Sequence, residues 1–379
     1  LQVCVQERPE DCDTDTATIT VENVAPTMAL SGAASVDEGL AYALTLGAVT
    51  DPGQDTITGC TVHWGDGSWE ACTPGSTLAH TYADGPASRT ITVDLADEDG
   101  VYPRAGSREL TVENVLPIIA LSGAASVDEG STYTLTLGAV TDPGADTVSG
   151  CTVYWGDGSS EACTPETTLA HIYADGLASR TISVDLVDED GTHAGAGTLA
   201  VTVTNLAPTL DPLALSSAST LEGGSVTLTG AFSDPGLPDT HTVVVIWGDG
   251  GRDAIELVHG ERSFSLSHRY LDDDPSGTPT DTAPVVVTVT DDDGDVASAS
   301  TGLTVTNVAP VVTAAGGTID ENGIATVSGT ISDPGLQDTF TVTIDWGEGD
   351  PEGHTYPAGT KAYAGTHQYL DDKPSNTAS

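Results

Sequence analysis

The sequence predicts an all-β protein made of one module repeated in tandem, on three observations. Val24-Ala25-Pro26 returns as Val115-Leu116-Pro117, Leu206-Ala207-Pro208 and Val308-Ala309-Pro310, so the four prolines are spaced 91, 91 and 102 residues apart. Periods of that length are whole domains and not the short units of a solenoid. Second, apolar and polar residues alternate, as in Arg89-Thr90-Ile91-Thr92-Val93-Asp94-Leu95 and its copy Arg180-Thr181-Ile182-Ser183-Val184-Asp185-Leu186. Successive side chains of a strand point to opposite faces, so Ile, Val and Leu face a core and the others face water. Third, no segment carries a helical period, and 43 glycines and 21 prolines punctuate the chain where hairpins turn.

The repeat sets module boundaries at residues 24–114, 115–205 and 206–307, flanked by residues 1–23 and 308–379. Repeat three runs from His268-Arg269-Tyr270 through Pro275-Ser276-Gly277-Thr278 into Val285-Val286-Val287-Thr288-Val289-Thr290. An Asp-rich turn and Leu303-Thr304-Val305-Thr306-Asn307 follow. Reading Ser379 on into Leu1 reproduces this order: His367-Gln368-Tyr369, Pro374-Ser375-Asn376-Thr377, Leu1-Gln2-Val3-Cys4-Val5, an acidic turn, then Thr18-Ile19-Thr20-Val21-Glu22-Asn23. The joined period is 95 residues. The expectation is four modules, one of them split. Its N-terminal part, 308–379, is completed by residues 1–23 of a neighbouring chain or of the next period of a longer one.

Composition narrows the partners. With 57 acidic and 10 basic residues the formal charge is −47 and the pI about 4.1. Nucleic acid needs clustered Lys and Arg, and an anionic membrane surface repels such a chain. Self-repulsion also opposes compaction unless cations relieve it, although solubility or adaptation to high salt would give the same bias. No apolar run approaches the ~18 residues of a membrane span. Leu1 opens no signal peptide, and the chain reads as a processed product or an excerpt.

The six cysteines form three local pairs, Cys4/Cys12, Cys60/Cys72 and Cys151/Cys163. The spacing of 12 recurs in two modules, and in the third the same places hold Val243 and Ile255, an apolar pair suited to one cross-strand contact. That substitution favours disulfides and an oxidising, extracellular or cell-surface compartment. Zinc, with His63 beside Cys60, is the competing reading, but the repeat puts Tyr154 where His63 stands and there is no Cys-x-x-Cys.

Each module carries Trp-Gly-Asp-Gly or a near copy: Trp64-Gly65-Asp66-Gly67, Trp155-Gly156-Asp157-Gly158, Trp247-Gly248-Asp249-Gly250 and Trp346-Gly347-Glu348-Gly349. The Trp anchors a core and the glycines supply a hairpin turn. His-x-Tyr follows at His80/Tyr82, His171/Tyr173, His268/Tyr270 and His367/Tyr369, both rings on one strand face. Four identical active sites in tandem would be odd, and no acid/base pair, nucleophile or phosphate loop stands outside the repeated scaffold, so the chain reads as no enzyme.

In these motifs, in Asp97-Glu98-Asp99-Gly100 and in the Asn-Val-Ala-Pro linker, the chain resembles the polycystic-kidney-disease (PKD) type of repeat over essentially its whole length. The resemblance implies tandem immunoglobulin-like β-sandwich domains of seven strands in an extended rod. Members of that family are mostly spacers, adhesion modules and surface-layer domains. The bracing cysteines and Glu348 depart from the pattern.

Acidic residues recur at strand ends and turns in each repeat. The series are Glu38, Asp51, Asp97 and Asp99; Glu129, Asp142, Asp188 and Asp190; Glu222, Asp234, Asp291 and Asp293; and Glu321 and Asp333. The linker asparagines Asn114, Asn205 and Asn307 join them, in Asn-x-x-Pro joints that look like those of calcium-rigidified cadherin-type modules. Carboxylates forced together repel unless a hard cation sits among them, and Ca²⁺ takes six to eight oxygens. The plain alternative is that Asp and Gly are common turn residues.

Two functions follow as expectations. One is a structural extracellular protein, a calcium-braced rod that binds itself head to tail into a filament or long surface fibre. The other is an adhesin stalk or a carbohydrate- or protein-binding accessory region of a secreted hydrolase. Trp69, unrepeated in the other modules, would be its candidate platform for glycans.

Overall fold

The computed structural model describes residues 1–273 and 278–370. The sequence match through residues 275–277 and 374–377 lies outside them. Every regular element among the described residues is a β-strand. The chain divides into two compact units. One comprises Leu1–Gly123, Thr134–Leu169 and Thr181–Ala200, the other Ala124–Tyr133, Ala170–Arg180 and Val201–Ser379.

In the first unit, repeat one builds two sheets. Thr27–Ser31, Ala41–Thr50 and Thr77–Thr81 form a three-stranded sheet, and Ser35–Asp37, Val101–Glu113, Ala87–Ala96, Gly59–His63 and Trp69–Ala71 form a five-stranded one. Eight strands replace the seven implied by the resemblance. The first edge strand breaks at Gly32-Ala33-Ala34 and passes from one sheet to the other, where Ser35–Asp37 runs parallel to Thr111, Val112 and Glu113. The core is one cluster: Tyr42, Leu44 and Leu46 from the smaller sheet with Val62, Ile91, Val93 and Leu95 from the larger, closed by Trp64 and Tyr82. The alternation in Ala87–Ala96 therefore points inward as its sequence predicts. The same unit holds Ile118–Ser122 paired with residues 136–141, and Gly150–Tyr154 paired with Ser160–Ala162 and with residues 183–187.

In the second unit, repeat three repeats the scheme. Its five-stranded sheet runs Ser219–Leu221, Val296–Thr306, Thr280–Asp291, His241–Ile246, Arg252–Leu257. Val243, Val245, Val285, Val287 and Val289 pack on Leu228, Trp247 and Tyr270. Ser126–Asp128 of repeat two also lies here, parallel to Thr202, Val203 and Thr204. The last repeat is less complete among the described residues. Phe340–Ile344 pairs only with Glu352–Tyr356, and Ile324–Ser332 with Val311–Val312 and Ala362–Gln368.

All three predicted disulfides are present, Cys4–Cys12, Cys60–Cys72 and Cys151–Cys163. Val243 and Ile255 are register partners across their two strands, which is the cross-strand contact the substitution implied. His63 turns to Asp94 (3.0 Å), so it and the bonded Cys60 do not form a metal pair. One expectation fails: Thr18–Asn23 is not a strand. Gln2–Val5 and Arg8–Thr14 form an exposed hairpin, and residues 15–26 lie outside any strand. In the complete repeats the matching segment is pinned by parallel pairing to a Ser-Val-Asp or Ser-Thr-Leu strand, and among the described residues it has no such pairing here.

Candidate cation sites at the module joints

The Trp-Gly-Asp-Gly and His-x-Tyr motifs form one internal brace. Trp64, at the end of Gly59–His63, is stacked by His80 at 4.7 Å, and the Tyr82 hydroxyl donates to the Trp64 carbonyl at 2.9 Å. His80 Nε2 lies 2.6 Å from Asp66 Oδ2, so the turn carboxylate also fixes the ring. His268 and Tyr270 do the same for Trp247 and Asp249, and His367 and Tyr369 for Trp346 and Glu348. The Ser68 hydroxyl donates to Asp66. These groups serve packing, and the indole N–H groups of Trp64, Trp155 and Trp247 donate to Glu70, Glu161 and Asp253.

The acidic residues gather where one repeat meets the next. In Asp37-Glu38-Gly39 the backbone N–H of Glu38 donates to the Glu113 carbonyl, which turns its side chain inward. Glu38 is fully buried. Its Oε1 accepts the Val115 N–H of the linker at 2.7 Å and its Oε2 the Gly85 N–H at 2.6 Å. The Asp142-Pro143-Gly144 loop of repeat two docks beside it through the Ala145 N–H to the Ala83 carbonyl, 2.7 Å. Glu38, Asp142 and Asp146 then present carboxylate oxygens within 4.8 Å of one another, as do Asp84, Asp146 and Asp190.

The next two joints, both within the second unit, repeat this. Glu129 accepts the Leu206 N–H at 2.9 Å and gathers with Asp175 and Asp239. Glu222 accepts the Val308 N–H at 2.8 Å and gathers with Asp272, Asp273 and Asp338. The docking bonds also recur, from the Leu237 N–H to the Ala174 carbonyl and from the Leu336 N–H to the Leu271 carbonyl. A further group, Asp51, Asp55 and Asp97, stands in repeat one.

Electrostatics marks these groups as strained without a counter-charge. Burial pushes Asp146 up to about 6, helped by Glu38 and Asp142. Burial takes Asp239 to about 7, with Glu129 and Asp234 adding repulsion. Burial likewise lifts Glu222 to about 7 against the Val308 hydrogen bond, and Asp338 and Asp333 add to it. Glu129 is raised chiefly by burial. Glu222 Oε2 and Asp239 Oδ2 are buried with no hydrogen-bond partner, as are both oxygens of Asp146. A buried, unpartnered oxygen costs a few kcal/mol, and one recurs at each of the three joints. All the donors are oxygen, the choice of a hard cation.

Of the residues singled out in the sequence, Glu38, Asp142, Asp190, Glu129, Glu222, Asp51 and Asp97 enter such groups. Others are engaged differently. Asp188 holds His193 at 2.6 Å and Asp234 holds His241 at 2.8 Å, both buried. Asp291 takes Asn205 Nδ2 at 3.0 Å while its other oxygen accepts the Gly294 and Asp295 N–H groups. Asp333 accepts the Gly335 N–H. Asp99 and Asp293 join none of these carboxylate groups, and Asn307 and Glu321 are exposed. Asn114 Oδ1 and Asn205 Oδ1 are nevertheless buried without a partner. Sequence reasoning left out Asp84, Asp175 and Asp272, although each follows the Tyr of His-x-Tyr by two residues.

No protein-family profile matches the chain, and no curated protein matches it. Among solved structures it is similar to a tetra-tandem repeat in the extending region of a large adhesion protein, 15% identical, covering 90% of each chain at a TM-score of 0.44. It is also similar to three N-terminal domains of the bacteriophage RB49 highly immunogenic outer capsid protein, 13% identical, covering 74% of this chain and 98% of that one at a TM-score of 0.28.

Proposed function

We propose that the chain is a structural extracellular protein of PKD-type immunoglobulin-like modules, braced by calcium at its joints and joined end to end into a filament or long surface fibre. The observation that carries this reading is the recurrence, at three joints, of one buried glutamate that accepts a linker N–H and faces the carboxylates of the following repeat. Calcium would be held by Glu38 with Asp142 and Asp146, by Glu129 with Asp175 and Asp239, and by Glu222 with Asp272, Asp273 and Asp338. Bound there, it would supply the positive charge that lets these carboxylates share a site and would fix the angle between repeats. The three disulfides support an oxidising compartment.

End-to-end joining is supported by an open edge. In the last repeat Ile344 and Trp346 keep 8% and 7% exposure where Val245 and Trp247 of repeat three keep none, and Tyr369 is half-buried where Tyr270 is buried. Leu1, Val3, Val5, Ile19 and Val21, the matching apolar residues, are all exposed. Strands added from a second copy would cover both surfaces and remove an unpaired edge. The reading as an adhesin stalk or binding region rests on Trp69, 68% exposed on an edge strand with His63 as its register partner. No catalytic role is assigned, since the repeated His and Asp are consumed in bracing Trp.

Calorimetry and small-angle scattering with calcium and after chelation test the cation brace. Chelation should lower the melting temperature and broaden the distribution of interdomain distances, because a ligand of the native state stabilises it by mass action. Unchanged melting and scattering would refute it.

A further inference from the structure

We propose that Asp51, Asp55 and Asp97 of repeat one are half of a divalent-cation site, and that the Glu321 turn of a second copy of the chain supplies the other half. The inference rests on the end-to-end reading above and names the chemistry of that joint. Asp51 and Asp55 stand one period before Asp142 and Asp146, which meet Glu38 at the first internal joint. In repeat one the loop is formed in the same way, with Asp51 Oδ1 accepting the Gly53 N–H at 2.7 Å, but the only glutamate placed at it among the described residues is Glu98, whose Oε2 accepts the Thr56 N–H at 2.8 Å, and no counterpart of Glu38 joins the group. The loop is nonetheless ready for a ligand. Asp97 is more than nine-tenths buried and gathers with Asp51 and Asp55; its Oδ1 accepts the Asp99 and Gly100 N–H groups, its Oδ2 accepts no N–H, and the Tyr102 hydroxyl lies against the carboxylate.

The complementary half is the turn at Asp320-Glu321-Asn322. Glu38, Glu129 and Glu222 are buried beneath their linkers, whereas Glu321 is exposed and accepts no linker N–H. The Val24 N–H is the equivalent donor, and Val24 is also exposed. The docking bond is likewise unmade. Gln54 N–H corresponds to the Ala145, Leu237 and Leu336 N–H groups, and the Leu370 carbonyl to those of Ala83, Ala174 and Leu271, yet these two have no such bond within one copy. A second copy placed by the register of the internal joints would satisfy the linker bond, the docking bond and the carboxylate group together. All the donors are oxygens, so the bridging ion is a hard divalent cation of the calcium class.

One residue departs from the pattern. Gly39, Gly130 and Gly223 adopt φ of 67–72° and touch the proline of the following repeat, while the fourth place is Asn322 at φ 61°. A Cβ built on Gly39 meets the Pro143 carbonyl oxygen at 2.3 Å. The joint between copies must therefore sit wider than the first internal one and be weaker, which leaves it open to control by the ion.

Sedimentation velocity of the full 379-residue chain, with calcium and with a chelator, tests this on wild type, Glu321→Gln and Asp55→Asn. Neither residue is buried, so both variants should keep the wild-type circular dichroism. Wild type in calcium should form oligomers that lengthen with concentration, and chelation or either substitution should weaken association about ten-fold or more. Mixing the two variants should give dimers and nothing longer, because one intact half survives on each. If wild type associates equally with and without chelator and both variants match it, the cation bridge is wrong while end-to-end joining stands. Stronger association of the variants would make the loops merely repulsive and would also overturn the bridge. A wild type that stays monomeric in both conditions would overturn the end-to-end reading, and this inference with it.

Discussion

Replacing Glu222 by Gln should have opposite effects with and without calcium. Glu222 is 2% exposed, and burial beside Asp338, Asp333 and Asp273 lifts its carboxyl from the ordinary 4.5 to about 7. A folded-state pKa above the unfolded one means that the metal-free native state binds the extra proton. Stability is then greatest below about pH 4.5 and falls as pH rises through 7. At 1.36 kcal/mol per unit, holding Glu222 ionised at pH 8 costs roughly 3 kcal/mol. Gln keeps an oxygen for the Val308 N–H and carries no charge. In chelator at pH 8, Glu222→Gln should therefore raise the melting temperature of the affected repeat by roughly 10 °C. In excess calcium the same change removes a ligand and should lower it. At pH 4 in chelator the two proteins should melt together. Differential scanning calorimetry at the two pH values, with and without calcium, reads all of this. If Glu222→Gln lowers the melting temperature equally in chelator and in calcium, the glutamate is only a hydrogen-bonding cap and the electrostatic argument fails.

Two further outcomes test the internal brace and the staples. Burial acts to raise Asp66, but hydrogen bonds from Ser68 and His80 outweigh it and hold the carboxyl near 2. Its contribution, about 2 kcal/mol, is present above pH 4 and lost as pH falls from 4 to 2, so Asp66→Asn should flatten the acid limb of the melting curve of repeat one and shift it little at pH 2. Replacing Cys151 and Cys163 by Val and Ile, as at Val243 and Ile255, should cost repeat two less than replacing both by Ala, although each loses a staple worth about 3 kcal/mol. Equal melting temperatures for the two double variants would sink the idea that the pair fills a core position.

Period and alternation in the sequence were enough to place the inward faces and the disulfides, because each is a local or register property. Val243 facing Ile255 is the clearest case, since a disulfide's position could be read from the apolar pair that replaces it. Asp66 shows the limit. In the sequence it reads as the middle of a turn, while its bond to His80 spans 14 residues and depends on the packing of two sheets. The carboxylate groups were half legible. Glu38, Glu129 and Glu222 stand out beside a glycine, but Asp84 and Asp175 sit in Ala-Asp-Gly, indistinguishable from a turn until the next repeat docks on it. Asp333 and Asp234 illustrate the converse: each lies in a conspicuous Asp-Pro-Gly, where one oxygen caps the loop's own backbone.

The parallel pairing of Ser35–Asp37 with Thr111, Val112 and Glu113 has a mechanical meaning. The chain enters the repeat ahead of the first strand and leaves just past the second, so tension along the polypeptide drags the two strands lengthwise past each other. Bonds loaded in that direction share the force and must fail together, whereas a hairpin pulled open at its end would unzip one rung at a time. Ser219–Leu221 beside Thr304, Val305 and Thr306 is loaded in the same way. Glu38 follows directly on the first of these strands and its carboxylate holds the Val115 N–H just beyond the second, so whatever anchors that side chain also pins the two points at which a repeat is pulled. In repeats one and three a parallel strand of three residues is thus the clutch.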